Sequence, residues 1–404
     1  MIAASSIFWL LVYIVLGRGL IRHARGAGRE FFFLLLNLGG FYFCFCQGQP
    51  THNAIAFGMY VGIAIFQWLL VFLFAQKSGW RVGLAFSAPL LFLILLRYVL
   101  DTSGQRLSGF AAVLHTAYFV GLSFQAFRCS RLVLEIRNGS APVPSLWEYL
   151  NFAFFLPTMN IGPINSYANY RQGFVKPYEV PVGRAALRIL VGYVKYQFLG
   201  SFFGQLGYRN LLLLDDHLHP WVDLPVAMVS YYLFLYCNFS GFCDMAIGTA
   251  ALVGIPVPEN FDNPFAARNL KEFWNRWHIT LSVWMRDVVF SPLSKFLVRT
   301  GGPKFANHAV ALTIVVVFLL VGIWHGAGWN YVALGATQAL GVVTTHYWTI
   351  FLKRRLGREG FKAYNENRLI RALAVVVTFC YVSISLLFLA NSFGDIVKIF
   401  SVLR

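Results

Sequence analysis

Residues 54–75 read AIAFGMYVGIAIFQWLLVFLFA, an apolar run without one charged side chain. It reaches the roughly 20 residues that a helix needs to cross the hydrocarbon core of a bilayer. Residues 372–393, ALAVVVTFCYVSISLLFLANSF, repeat the pattern. Between and around these two lie further apolar stretches, shorter or interrupted, at residues 7–16, 31–46, 82–96, 110–127, 146–164, 189–206, 226–238, 242–255, 309–323 and 331–348. The spacing predicts about eleven crossings, plus one or two segments that enter without crossing. Composition agrees, since 58% of the 404 residues are hydrophobic and 12% charged, where soluble domains carry about 25% charged residues. The expectation is an all-α polytopic membrane protein, with residues 1–404 forming one integral-membrane domain.

A net charge of +17 would suit nucleic acid only if the basic residues formed a continuous stripe. They fall instead in short clusters between apolar segments: Arg18, Arg22, Arg25 and Arg29 early, Lys77 and Arg81 next, then Lys353, Arg354, Arg355, Arg358 and Lys362. That distribution marks cytoplasmic loops and no nucleic-acid partner. Asp215, Asp216, His217, His219 and Asp223 form an acidic loop suited to the outer face. Six cysteines, at 44, 46, 129, 237, 243 and 380, lie mostly in apolar runs without a CxxC pair, which predicts small buried hydrophobes, neither disulfides nor metal ligands. The first segment lacks a charged n-region and cleavage site, so it reads as a retained helix. The polar breaks at residues 137–144 and 353–371 are loop-sized.

The middle of the chain departs from this pattern. Residues 259–292, ENFDNPFAARNLKEFWNRWHITLSVWMRDVVFSP, are rich in charge and tryptophan, and cannot face lipid. Asn269 with Glu272 predicts a helix start of the capping-box kind, Pro292 a stop, and the periodicity between them is helical. On such a helix Lys271, Asn275, His278 and Ser282 share one face, while Phe273, Trp277 and Trp284 share another. An amphipathic interfacial helix is the competing reading. A second histidine follows the uncharged run 309–323, in Trp324-His325-Gly326-Ala327-Gly328-Trp329-Asn330, where two glycines permit close backbone approach and leave room beside the ring. Imidazoles placed within an apolar chain are candidate functional groups, with a helix–helix hydrogen bond as the alternative.

Linked motifs in this region carry a resemblance. Asn238-Phe-Ser-Gly-Phe-Cys-Asp-Met-Ala-Ile-Gly248, Pro258-Glu-Asn-Phe-Asp-Asn-Pro264, Phe273-Trp-Asn-Arg-Trp-His278 with Leu281-Ser282 and Trp284, Arg286-Asp287, and Trp324-His325-Gly326 resemble the signature of the membrane-bound O-acyltransferase family. The likeness is strongest over residues 238–330. Within the family it resembles the bacterial branch of teichoic-acid D-alanyl transfer and alginate O-acetylation. The resemblance implies a ring of helices around a thin central region, re-entrant or interfacial helices, and funnels from both faces. It implies His325 as the catalytic residue and His278 as the second signature residue, with Trp274, Asn275, Trp277, Ser282, Trp324 and Asn330 lining the substrate. It also implies a bacterial inner-membrane location.

The chemistry can be argued from the residues themselves. Acyl transfer to a hydroxyl needs a base near the attacking oxygen, a held carbonyl, and donors for the developing oxyanion. Neutral His325 can take the hydroxyl proton, and Asn275, His278 and Trp324 are candidate donors. No Gly-x-Ser-x-Gly elbow supplies a serine nucleophile, so the expectation is direct transfer from a thioester, with no tightly bound cofactor and no metal. The donor would be a carrier-protein phosphopantetheine or acetyl-CoA, and the acceptor an exported polymer with a partner outside the cell completing transfer. A carrier would dock on the basic cytoplasmic loops or on the surface bearing Lys271 and Arg276. Residues 155–163, FLPTMNIGP, add a weaker site at Asn160 and Gly162, with a plain loop turn as the alternative. Asp244 and Asp287 read as partners of arginine. A polysaccharide-precursor transporter or a non-catalytic scaffold would share the spans without needing Trp-His-Gly.

Overall fold

A computed structural model describes residues 4–45, 50–95, 121–159, 161–214 and 219–403. The helices are α1 (Ala4–His23), α2 (Gly26–Phe45), α3 (Pro50–Phe74), α4 (Trp80–Ile94), α5 (Leu122–Arg137), α6 (Leu146–Ala153), α7 (Tyr167–Val175), α8 (Val182–Tyr193) and α9 (Gly200–Gln205). They continue as α10 (Pro220–Val253), α11 (Leu270–Arg276), α12 (Ile279–Met285), α13 (Ser291–Gly301), α14 (Ala306–His325), α15 (Trp329–Glu366), α16 (Arg368–Ser385), α17 (Leu387–Ala390) and α18 (Phe393–Val402). Among the described residues no strand forms, and one isolated antiparallel bridge joins Phe261 to Trp277. Four described segments are long and apolar enough to span: Phe57–Phe74, Pro220–Val253, Pro303–His325 and Arg368–Ala390. Most of the expected span at 110–127, Asn160, Cys46 and the loop residues Asp215 to His217 lie outside the described residues.

The chain packs as two compact units, one of Met1–Gly192 with Phe242–Pro258, the other of Tyr193–Gly241 with Glu259–Arg404. The first is built on aromatic side chains excluded from solvent, among them Phe33, Phe41, Tyr60, Phe152, Phe154 and Phe155. Here the expected span at 146–164 is replaced by something shorter. Ser145 and Glu148 form a capping box that starts α6, and the chain then folds into a buried turn at Leu156–Thr158 containing Pro157, whose ring cannot continue a helix. The carbonyls this leaves are met by Arg128, whose guanidinium donates to Phe152 O at 3.2 Å, Ala153 O at 3.1 Å and Thr158 Oγ1 at 3.2 Å. A cation at the carboxyl end of a helix answers both its orphan acceptors and its dipole.

Two further expectations are corrected. The apolar stretches 226–238 and 242–255 are one helix, α10, because Asn238-Phe-Ser-Gly241 contains no proline and a single glycine does not stop a helix. Residues 353–371 are helical to Glu366, not a loop, with a sharp kink at Gly357 (φ 65°, ψ −170°). The helix formers Arg, Glu, Lys and Ala hold this basic segment as an exposed helix. Cys129, Cys237 and Cys243 are buried and Cys380 is exposed, all as free thiols.

The second unit is organised by the α14–α15 hairpin. Its two helices touch backbone to backbone at Gly322 and Gly335. A Cβ on Gly335 would strike the Phe318 carbonyl oxygen, and one on Gly322 that of Tyr331. Gly335→Ala should therefore destabilise the protein by about 1–3 kcal/mol, since a backbone carbonyl cannot yield as a side chain can. Gly62→Ala, where a Cβ meets nothing within 4 Å, should be neutral or slightly stabilising. Thermal unfolding in detergent micelles, followed by tryptophan fluorescence, separates the two; equal melting of Gly335→Ala and wild type would refute the close contact.

Candidate functional site

The predicted cap at Asn269 forms, its side chain accepting from Glu272 N at 2.8 Å, but the reciprocal bond of a capping box does not, since the Glu272 carboxylate accepts from Arg268 N at 3.1 Å. Glu272 in turn pairs with Arg268 and Arg276, each at 2.9 Å. The helix then ends far sooner than its periodicity predicts. α11 stops at Arg276, Trp277 is extended (φ −108°, ψ 128°), and His278 adopts the left-handed conformation (φ 45°, ψ 52°) before α12 begins. The cause is non-local pairing with residues 260–262. Asp262 N donates to Arg276 O at 3.0 Å and Ile279 N to Asn260 O at 3.0 Å, around the Phe261–Trp277 bridge. Nor does Pro292 act as a stop. α12 runs through a widened π turn at Arg286–Phe290 into α13, where Pro292 occupies the opening turn.

Because the helix breaks, Lys271, Asn275, His278 and Ser282 do not share a face. Asn275 is exposed on α11. Ser282 Oγ donates to Trp274 O at 2.8 Å, bracing α12 against α11. Trp274 donates through Nε1 to Gln338 Oε1 at 3.1 Å and packs on Phe318. Trp277 is buried between Phe261 and Phe273. Asn330, also buried, donates to Phe388 O at 3.0 Å. The space expected beside Gly326 is taken by the Tyr331 ring, which a Cβ at that position would hit. Asp244 pairs with Arg188 at 3.0 Å and Asp287 with Arg286 at 3.2 Å, the arginine partnerships expected of them.

His278 is the most constrained of the expected site residues. It is buried with its ring edge-on to Phe239, centroids 4.7 Å apart. Its Nδ1 lies 3.2 Å from Asn260 Oδ1, which also receives Thr280 N at 3.1 Å and Thr280 Oγ1 at 2.9 Å. A backbone N–H only donates, so the Asn260 atom facing Thr280 is oxygen. An oxygen there requires the proton of the neutral imidazole to sit on Nδ1. Nε2 is then a bare lone pair, and His278 acts as an acceptor, which removes it from the oxyanion donors. Burial, and after it the charge that His325 would carry, pushes its pKa down to about 3. The two histidines thus lie close enough to feel each other electrostatically. His325 is the last residue of α14, half-buried, with its ring 4.8 Å from that of Trp324.

Asn260, Gln338 and Phe239 escaped the sequence reading. Asn260 lies within Pro258-Glu-Asn-Phe-Asp-Asn-Pro264, but nothing local tells that its amide reaches a turn near residue 278. Gln338 sits in an apolar helix, where its polarity was the available signal.

A histidine protonated in the unfolded chain near pH 6.5 but not in the folded one lowers stability as pH falls below 6.5. Detergent-solubilised protein should therefore lose stability between pH 6.5 and 4, with a slope of up to about 1.4 kcal/mol per unit from this group. His278→Gln should flatten that slope in pH-dependent unfolding; an unchanged slope would mean that His278 is not held neutral. Asn260→Ala, which strands the donors around its amide oxygen, should cost about 1–3 kcal/mol in the same assay.

The model of the membrane-bound O-acyltransferase family matches residues 85–387. The chain is 31% identical over 319 residues to a teichoic acid D-alanyltransferase of Streptococcus thermophilus, covering 76% of this chain and 75% of that protein. It is 28% identical over 282 residues to a probable alginate O-acetylase of Pseudomonas aeruginosa, covering 67% of this chain and 48% of that protein. A peptidoglycan O-acetyltransferase of Helicobacter pylori is 30% identical over 209 residues, 48% of this chain and 36% of that protein. Matched over most of its length, and carrying both histidines in one unit, the chain belongs to the membrane-bound O-acyltransferase family and is an O-acyltransferase of the membrane.

Proposed function

We propose that this protein moves an acyl group, D-alanyl or acetyl, from a cytoplasmic thioester to hydroxyls of an exported cell-envelope polymer, with His325 as the base. The relatives named for teichoic acid, alginate and peptidoglycan support the class of acceptor. The observation that supports the reading is a half-buried His325 at the end of a membrane-length helix, in the same unit as a buried His278. In the proposed reaction the acceptor hydroxyl gives its proton to the His325 imidazole as its oxygen attacks the thioester carbonyl. The new C–O bond forms, the C–S bond breaks, and the thiolate takes the proton from the imidazolium. His278, an acceptor at Nε2, would orient the hydroxyl or the His325 ring, and Asn275 and Trp324 remain the candidate oxyanion donors.

The proposed architecture has about eleven crossings in a ring with funnels from both faces, set in a bacterial inner membrane as one acyltransferase domain. The thioester arrives on an acyl carrier protein or coenzyme A, and no cofactor stays bound between turnovers. A carrier would dock through exposed Lys271; Arg276 is engaged with Glu272. An extracytoplasmic partner protein would complete the transfer onto the polymer.

His325→Ala, compared with wild type at equal membrane abundance, should lower ester-linked acyl groups on the envelope by about 10²–10⁴-fold, the range lost with a general base. Mass spectrometry of groups released by mild base reads both the amount and the identity of the acyl group. Undiminished esterification in the variant would remove His325 from the chemistry.

A further inference from the structure

A groove of roughly 640 Å³ opens in the second unit between α15 and α16, and none of His278, Trp324 and His325 lines it. Its walls are apolar for a reason beyond composition. Thr345, Thr349 and Thr378 line it, but each hydroxyl donates to the carbonyl four residues earlier, at 2.7–2.8 Å. Their hydroxyls are thereby satisfied within their own helices and need no polar partner in the groove. Leu340, Trp348, Leu373 and Val377 add large, exposed apolar side chains. At one end Tyr381, whose Oη donates to Thr337 O, closes the groove.

The other end is polar and strongly basic. Past the Gly357 kink the chain turns so that Phe361, Tyr364 and Asn365 line the groove, together with Arg371 from the start of α16. Between residues 353 and 371 seven basic side chains accompany two acidic ones. Lys362 reaches Glu366 at 3.9 Å, while Arg368 and Arg371, both exposed, pair with no carboxylate among the described residues. An apolar channel along two helices, ending in uncompensated guanidinium charge, matches one occupant in two parts: an acyl chain and a phosphate.

We propose that this groove is a binding site for an anionic phospholipid, with an acyl chain along Leu340, Trp348 and Val377 and the headgroup phosphate at Arg371 and Arg368. Bulk lipid would coat an exposed apolar face without regard to headgroup; a built site selects one. Occupancy would also bear on α11, because Arg268, Asn269 and Leu270 form part of the same wall.

The test uses the full chain in mild detergent, offered equal amounts of phosphatidylglycerol and phosphatidylcholine, with retained lipid counted by native mass spectrometry. Wild type should keep phosphatidylglycerol selectively. Arg371→Gln should reduce that preference about fivefold, the effect of one basic residue at an anionic surface. Ala374→Phe, which fills the groove, should reduce retention of both lipids, and Thr345→Trp repeats this from the opposite helix should the first variant assemble poorly. Equal retention of the two lipids by wild type, or a preference unmoved by Arg371→Gln, would overturn the proposal. So would displacement of the lipid by coenzyme A, which would assign the groove to the acyl donor. The readout is bound lipid, so it stands whether or not His325 is the base.

Discussion

One amide oxygen, that of Asn260, decides the shape of the signature region. It receives three donors from residues 278 and 280, while the Asn260 backbone carbonyl receives Ile279 N. A left-handed histidine costs roughly 1–3 kcal/mol, and buried hydrogen bonds worth about 1 kcal/mol each are enough to offset it. Everything specific to His278 follows from this clamp: the end of α11, the buried position of the imidazole, and the tautomer that leaves Nε2 bare. A single amphipathic helix through the same residues would turn His278 toward the face that carries exposed Lys271 and Asn275.

The remaining expected site residues divide by what holds them. Trp274, Trp277, Ser282 and Asn330 are each engaged with protein groups. Trp274 is anchored at some distance: Gln338 accepts from its indole and donates to Ser385 Oγ at 2.6 Å, linking α11, α15 and α16. His325 is half-buried at a helix end and is followed by an extended glycine.

Much of this was readable before any coordinates, and the limits have a physical cause. Long uncharged runs such as 54–75 and 372–393 announce themselves because hydrocarbon imposes one requirement on every residue. The cap at Asn269 was readable because it involves side chains three positions apart. The break at Trp277–His278 was not, since no proline or glycine marks it and the apolar period runs through undisturbed. It is imposed by a segment almost twenty positions upstream. Pro292 misled in the opposite sense: its local rule is sound, but the π turn before it changes the backbone on which the rule acts. Both histidines were identifiable by type, whereas the amide that orients one of them looked like any turn asparagine.

The division of α10 bears on how the polypeptide matures. The first unit takes Ala250 and Val253 from the end of that helix, and Ile255 just beyond it, into its core, so it remains unfinished when the ribosome has made only its leading 192 residues. By the time the missing strip has left the exit tunnel, the opening part of the second unit, Tyr193–Gly241, has emerged ahead of it. Neither half can be completed strictly before the other begins. A chain stalled in between would present an unfilled aromatic core to lipid or to quality-control proteases.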